Sequence, residues 1–388
     1  MLHEAGLLHE PGWRMTRDLA ITRVSTHHAG IPYAYDGPRH AVGGQGWTTL
    51  DMLLVRIETA GGLVGWGEAF GHGAIPATKA ALDTLVAPWL LGRDASQISA
   101  IADGLSQAMH LFGRNGPLTY AIAGVDIALW DMAGKRAGLP LHDLLGGARR
   151  RTLPVYASLL RYGDPARTAR NAAAARDEGY SAVKLHEIDP ACVLAARAAL
   201  GPEAVLMDDV NCPWTVAEAL EQARLLRPAA LHWLEEPVWP PEDVAGLARV
   251  RAAGAMTAAG ENIGTAAGFA ALFEARAADV AQPSVAKISI TETLRVVALA
   301  AAAGVRVVPH CAYFGPGYLA SLHLAATMAE APLERLWVAL EASPFDAWLE
   351  APGGVASLPT GPGLGCDPDP AILDRYRQSP TGETRSQA

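Results

Sequence analysis

The chain has 388 residues, 50% of them hydrophobic and 18% charged, with a formal net charge of −9. These proportions suit a soluble globular protein of two domains, or of one barrel with an attached domain, and exclude a disordered chain. The acidic balance leaves no basic footprint for nucleic acid or an anionic membrane, so the expected partner is a small molecule.

From the N-terminus, residues 1–18 lack hydrophobic periodicity and are expected to form a poorly ordered leader. The stretch MLHEAGLLHEPGWRM mixes acidic, His and Pro residues and has no basic start, which does not suit a signal peptide. From Ile21, ITRVSTHHAG and TTLDMLLVRIETAGGLVGWGEAF have strand composition, and the Gly61-Gly62 break in the second predicts a hairpin. Between them lies GIPYAYDGPRHAVGGQGW, too long and too rich in Gly, Pro and aromatics for an ordinary connection. Its Tyr33, Tyr35, Arg39, His40 and Trp47 either cover a ligand or belong to a merely mobile loop. Apolar spacing in ATKAALDTLVAPWLLG and LTYAIAGVDIALWDMAGKRAG predicts helices, the second ending at Gly138 and Pro140. Residues 19–147 thus read as an α+β domain.

From Leu153 the pattern changes to short apolar runs alternating with Ala-rich helical segments. The runs are LPVYASLL, YSAVKLH, AVLMDDV, LHWLEE, MTAAGE, ADVAQPS, VRVVPH and LWVALE. This predicts a (β/α)8 barrel of the TIM type over residues 148–345. The Gly- and Pro-rich segment 346–388 is expected to pack back on the first domain. Four widely separated cysteines without CxxC spacing suggest neither zinc nor disulfides, and fit a reducing cytoplasm. The longest apolar run, 296–308, contains Arg306 and is too short to cross a membrane.

If the eight runs are strands, Lys184, His186, Asp209, Asn211, Glu235, Glu261, Ser284, His310 and Glu341 gather at their C-terminal ends, where such barrels keep their chemistry. Asp209, Glu235 and Glu261 recur 26 residues apart, about one strand, one helix and two loops. They are either surface charges that happen to follow strands or the ligands of a hard divalent ion, Mg2+ before Mn2+ or Ca2+, because three neighbouring acids repel one another unless a cation neutralises them.

The runs AIAGVDIALWDMAGKRAGLPLHDLLGG and LVRIETAGGLVGWGEAF, followed in order by DVN, WLEEP, GEN and PGLG, resemble the mandelate racemase/muconate lactonizing enzyme family of the enolase superfamily. The resemblance runs from about Ile21 to Tyr376 and rests on several independent motifs. It implies a Mg2+ enzyme, usually homo-oligomeric, that removes the proton α to a small-molecule carboxylate. It also implies that Asp209, Glu235 and Glu261 hold the ion, with Asn211 supporting them.

Where many members carry two lysines on one strand, this chain has Lys184 and His186, so His186 becomes the base and Lys184 its cationic partner. His310 matches the family histidine, but Ser284 stands in place of the Asp that usually accompanies it. Ser289 and Ile290 replace a usual Gly pair. Glu341 matches the family acid that contacts the substrate carboxylate, with Glu334 as its rival. Arg161 and Tyr162 either hold substrate or form a solvated loop pair. Tyr33, Arg39, Arg161, Asn211 and Ser284 are the expected substrate contacts. The expected reaction is dehydration of a sugar acid; racemisation, epimerisation or cycloisomerisation is the alternative within the family, and a metal-dependent binding protein without chemistry is the alternative outside it.

Overall fold

The computed structural model describes residues 17–38, 41–42 and 45–386; Arg39, His40 and most of the expected leader lie outside them. The first sheet is antiparallel. Strand β1 (Ile21–Ala34) pairs along its length with β4 (Thr49–Thr59), and β4 pairs with β5 (Val64–Ala69). A two-residue ribbon of β2 (Ala41–Val42) and β3 (Gln45–Gly46) lies between β1 and β4 in the chain. Helix Pro117–Ala137 starts with proline in its first turn and stops at left-handed Gly138, as the sequence dictates. It packs on β5 at backbone distance. A Cβ on Gly67 would lie 1.9 Å from the Gly124 carbonyl, and one on Gly65 2.2 Å from that of Ala128, so this crossing requires both glycines.

The second sheet contains eight parallel strands: β6 (Thr152–Ser158), β7 (Ala182–Leu185), β8 (Val205–Asp209), β9 (Leu234–Glu235), β10 (Thr257–Ala259), β11 (Val280–Ala281), β12 (Arg306–Val307) and β13 (Leu333–Leu336). Their order is β12-β11-β10-β9-β8-β7-β6-β13, a curled sheet consistent with a TIM-type barrel. The last strand differs from the sequence expectation. Leu333–Leu336 pairs with β6, whereas the following β14 (Ala339–Leu340) leaves the barrel and pairs with β1 at Tyr33 and Ala34. The segment after it serves both sheets: β15 (Val355–Ser357) pairs with β6, and β16 (Gly382–Arg385) with β1.

Buried carboxylates join the two sheets. Glu68 on β5 accepts the Gly317 N–H at the start of helix Pro316–Thr327 (2.8 Å). Asp126 accepts the N–H groups of Ile290 and Thr291 that open helix Ile290–Ala303 (2.9 and 3.1 Å). Asp131 accepts from Trp66 and Leu364 (2.9 and 2.8 Å), tying β5 to the C-terminal segment. Each caps donors that would otherwise be buried without a partner.

A fourth tie is a pair of buried imidazoles. The Leu364 carbonyl can only accept, so His323 donates to it from Nε2 (3.2 Å) and accepts at Nδ1 from His142 Nδ1–H (2.9 Å). Burial, with His142 alongside, pushes His323 down to about 3. An unfolded histidine protonates near 6.5. The stabilising effect of this neutral ring is therefore complete above pH 6.5 and is lost as pH falls toward 3, by about 1.4 kcal/mol per pH unit. Calorimetric melting between pH 7 and 5 should show a shallower decline for H323N than for the wild type; equal slopes would contradict the neutral pair.

Ser289 has φ 87° and ψ 164°, a region essentially reserved for glycine. Its hydroxyl accepts the Glu292 N–H (3.0 Å), a cap whose replacement by glycine costs a few tenths of a kcal/mol. The strain is larger, so S289G is expected to stabilise the fold by about 1 kcal/mol. A urea midpoint that does not rise in S289G would refute this.

Candidate active site

At the C-terminal ends of the parallel strands a cleft of about 590 Å³ opens beneath the first sheet's loops. That volume suits a small ligand. Its barrel wall carries His186, Asp209, Asn211, Glu261, Lys287 and His310, and its other wall carries Trp47, Phe70, His72 and Tyr120. Phe70 makes edge contacts with His72 and Tyr120, with ring centroids 4.5 and 5.2 Å apart. His72 itself has a positive φ of 42°.

Behind the cleft floor Lys184 is fully buried among three acids. Its ammonium lies 3.2 Å from Asp209 Oδ2, 3.1 Å from Glu235 Oε1 and 2.7 Å from Glu334 Oε1. Burial alone would lower Lys184, but Glu235, Glu334 and Asp209 hold it well above the usual lysine range. The acids separate in response. Burial raises Asp209, yet Lys184 and His186 outweigh it and hold its carboxyl low. Burial and the Asp209 charge push Glu235 well up. One ammonium among three carboxylates thus leaves negative charge to be neutralised.

Asn211 grips Asp209 through both its backbone and side-chain N–H groups (3.1 and 3.0 Å to Oδ1). It does so with φ 53°, a left-handed conformation that asparagine tolerates. Trp233 Nε1–H fixes Glu235 Oε2 at 3.0 Å.

His186 follows β7. Its Nδ1 lies 2.6 Å from the Leu159 carbonyl, which can only accept, so Nδ1 carries a proton and Nε2 is the nitrogen that gives and takes one. Nε2 lies 3.4 Å from Asp209 Oδ2. On the far side of the cleft His310 follows β12 and meets Ser284, which follows β11, in a parallel bridge. Its Nδ1 is 3.1 Å from Ser284 Oγ, and its Nε2 is 2.6 Å from Glu261 Oε2. Lys287 approaches the other Glu261 oxygen at 3.4 Å and lies over the Phe70 ring, 4.5 Å from its centroid.

The structure therefore brings together Lys184, His186, Asp209, Asn211, Glu235, Glu261, Ser284 and His310. It does not bring Glu341 to the cleft. Glu341 is exposed on the far side of β14, where it accepts from Tyr376 Oη (2.8 Å) and Arg375 (3.2 Å), because the chain has already left the barrel. The barrel acid is Glu334, bonded to Lys184, Ser158 Oγ (2.7 Å) and the Cys311 N–H (2.9 Å).

Arg161 is turned away, its guanidinium donating to the His186 carbonyl (2.5 Å). Tyr33 lies on β1 in an aromatic layer with Tyr35 and Tyr162, outside the cleft lining. Arg39 is outside the described residues. Sequence reasoning missed Lys287 and Tyr313, which stand three residues beyond Ser284 and His310; that spacing on the turn after each strand was their only signal.

The donors available to a metal are all carboxylate oxygens, the chemistry of a hard divalent ion. The surplus negative charge around Lys184 fits such an ion. Among the described residues, however, no three His, Cys, Asp or Glu side chains converge as a finished cage. Glu261 is drawn instead toward His310 and Lys287 and would have to turn inward.

Two family models match the chain: the mandelate racemase / muconate lactonizing enzyme N-terminal domain over residues 39–146, and an enolase C-terminal domain-like model over residues 167–372. The chain is 34% identical over 347 residues to D-galactarolactone cycloisomerase from Agrobacterium fabrum, covering 84% of this chain and 91% of the relative. It is 28% identical over 351 residues to arabinonate dehydratase from Saccharolobus solfataricus, covering 84% and 91%. A solved mandelate racemase/muconate lactonizing protein from Paracoccus denitrificans, complexed with magnesium, shares the fold with a TM-score of 0.80 at 29% identity, covering 92% of this chain and 98% of that one. The chain belongs to the mandelate racemase/muconate lactonizing enzyme family of the enolase superfamily.

Proposed function

We propose that this enzyme removes the proton α to the carboxylate of a hydroxylated acid and expels the oxygen on the β-carbon, dehydrating an acid sugar to a 2-keto-3-deoxy acid. Two imidazoles that present Nε2 to one cleft from opposite ends of its barrel wall, His186 from the β7 side and His310 from the β12 side, support this reading. Asp209, Glu235 and Glu261 would hold Mg2+, which supplies Lewis-acid stabilisation of the charge that develops on the substrate carboxylate.

His186 Nε2 takes the α-proton, and Asp209 Oδ2 steadies the resulting imidazolium. Lys184 does not line the cleft; it acts through Asp209 and Glu235, holding both in place and Asp209 charged. His310 gives a proton from Nε2 to the departing β-oxygen, the carbon–oxygen bond breaks, and the enol left behind becomes the 2-keto acid. Trp47, Phe70 and His72 shield these steps from water on the other wall.

The same two steps on a lactone whose ring oxygen sits on the β-carbon open the ring without releasing water. Similarity to D-galactarolactone cycloisomerase favours this as the second reading. Incubating the Mg2+-loaded protein with a panel of aldonic and aldaric acids and their lactones, followed by NMR, tests both. A 2-keto-3-deoxy product from open-chain acids is the expected result. Such a product from lactones alone would select cycloisomerisation, and no product from any member would contradict elimination.

A further inference from the structure

The cleft carries a cation that the proposed elimination does not use. Lys287 is the only Lys or Arg among the described residues that line it, and it is 4% exposed. It stands in the four-residue helix Val285–Ile288 after β11, where the barrel wall meets the first domain, with its ammonium over the Phe70 ring. Resting on the proposed elimination, we infer that Lys287 binds a second carboxylate at the far end of the substrate, which makes that substrate a dicarboxylic acid sugar, an aldarate, rather than an aldonate.

A buried ammonium needs an anion beside it, and the protein's own acids fall short here. Among the described residues only Glu261 comes within ion-pair distance, and its Oε1 lies at 3.4 Å. That is longer than the roughly 2.7–2.9 Å of a charge-assisted hydrogen bond. The same carboxylate is held more closely by His310 Nε2, at 2.6 Å. If it also serves the ion, less of its charge is left for the lysine. Glu236, another acid in the ammonium's field, is engaged by Asn262 Nδ2 (2.7 Å). Phe70 holds the ammonium in place through its ring face without neutralising it. Tyr120, on helix Pro117–Ala137 of the first domain, lies in the same field and lines the same cleft, so a phenol and an ammonium offer donors from the two domains to one ligand end. The terminal hydroxymethyl group of an aldonate leaves that charge poorly paired, whereas the terminal carboxylate of an aldarate pairs it.

Pairs of acids that differ only at the last carbon test this: each aldaric acid with the aldonic acid of the same configuration, on the Mg2+-loaded protein. The wild type should favour the aldarate at least about 10-fold in kcat/KM. K287M keeps the length of the side chain and removes its charge, so that ratio should fall roughly 10-fold or more, through KM rather than kcat, while K287R keeps most of it. Calorimetric titration of K287M with MgCl2 should give an affinity within about threefold of the wild type, because the lysine serves the substrate and not the ion. Equal losses for both acids, as a lysine on the reacting carboxylate would give, would overturn the inference. So would a wild type without preference for aldarates, or Mg2+ affinity falling about 10-fold or more in K287M. If no acid reacts, the proposed elimination fails instead. Calorimetric binding of the same pairs to the wild type and K287R then decides the role of Lys287: tighter binding of the aldarates supports it, and equal binding overturns it.

Discussion

Replacing His186 with Asn is expected to lower turnover roughly 100- to 10,000-fold, the usual worth of a positioned general base, while Mg2+ affinity stays within about a factor of two of the wild type. The substitution removes the nitrogen assigned to take the α-proton. Nδ1 is committed to the Leu159 carbonyl, so Nε2 alone faces substrate and Asp209. The three candidate metal ligands lose no partner except this 3.4 Å contact to Asp209, whose carboxylate stays bonded to Lys184 and Asn211. Initial rates combined with Mg2+ titration by calorimetry check both halves. A variant that keeps its rate would remove His186 from the chemistry, and one that loses metal binding together with rate would make it structural.

Asp209→Asn should be at least as damaging, with Mg2+ affinity down at least about 100-fold and activity lost at ordinary metal concentrations. Asparagine preserves the shape but removes the charge that Lys184 and His186 both use. It also relieves Glu235, which burial and the Asp209 charge currently push up, so the remaining pair of acids needs an ion less. Calorimetric titration of the folded variant with MgCl2 measures the affinity directly. Wild-type affinity in D209N would take Asp209 out of the metal site.

Much of this site could be read from the chain because a strand, a helix and two loops repeat at nearly constant length. Asp209, Glu235 and Glu261 stand at such intervals, and the structure places them on or just after β8, β9 and β10. Lys184 and His186 were legible for a related reason, lying two residues apart along one strand direction.

The last strand is displaced from its sequence expectation because the apolar run LWVALE spans the change of sheets. Leu333–Leu336 completes the barrel, Ala339–Leu340 completes the first sheet, and nothing in the hydrophobic pattern marks the crossing. Glu341 therefore looked like a strand-end acid, although Glu334 holds Lys184. Tyr33 falls in the expected loop, but β1 continues through it, paired with β14 at Tyr33 and Ala34 just beyond its last pair with β4 at Pro32. Lys287, in the four-residue helix Val285–Ile288, and Tyr313, on irregular backbone after β12, return to the site on segments too short to display a period.

The central claim is that a carbon acid loses its α-proton to His186 in this cleft. Its most direct measurement is deuterium wash-in at the α-carbon, followed by NMR, for the Mg2+-loaded protein incubated in D2O with pooled acid sugars. The expected result is α-deuterium in recovered substrate or product with the wild type and none above background with H186N. Exchange that persists in H186N would assign the proton to another base. No exchange with any acid by the folded, metal-loaded wild type would contradict the chemistry altogether and leave a protein that binds its ligand without transforming it.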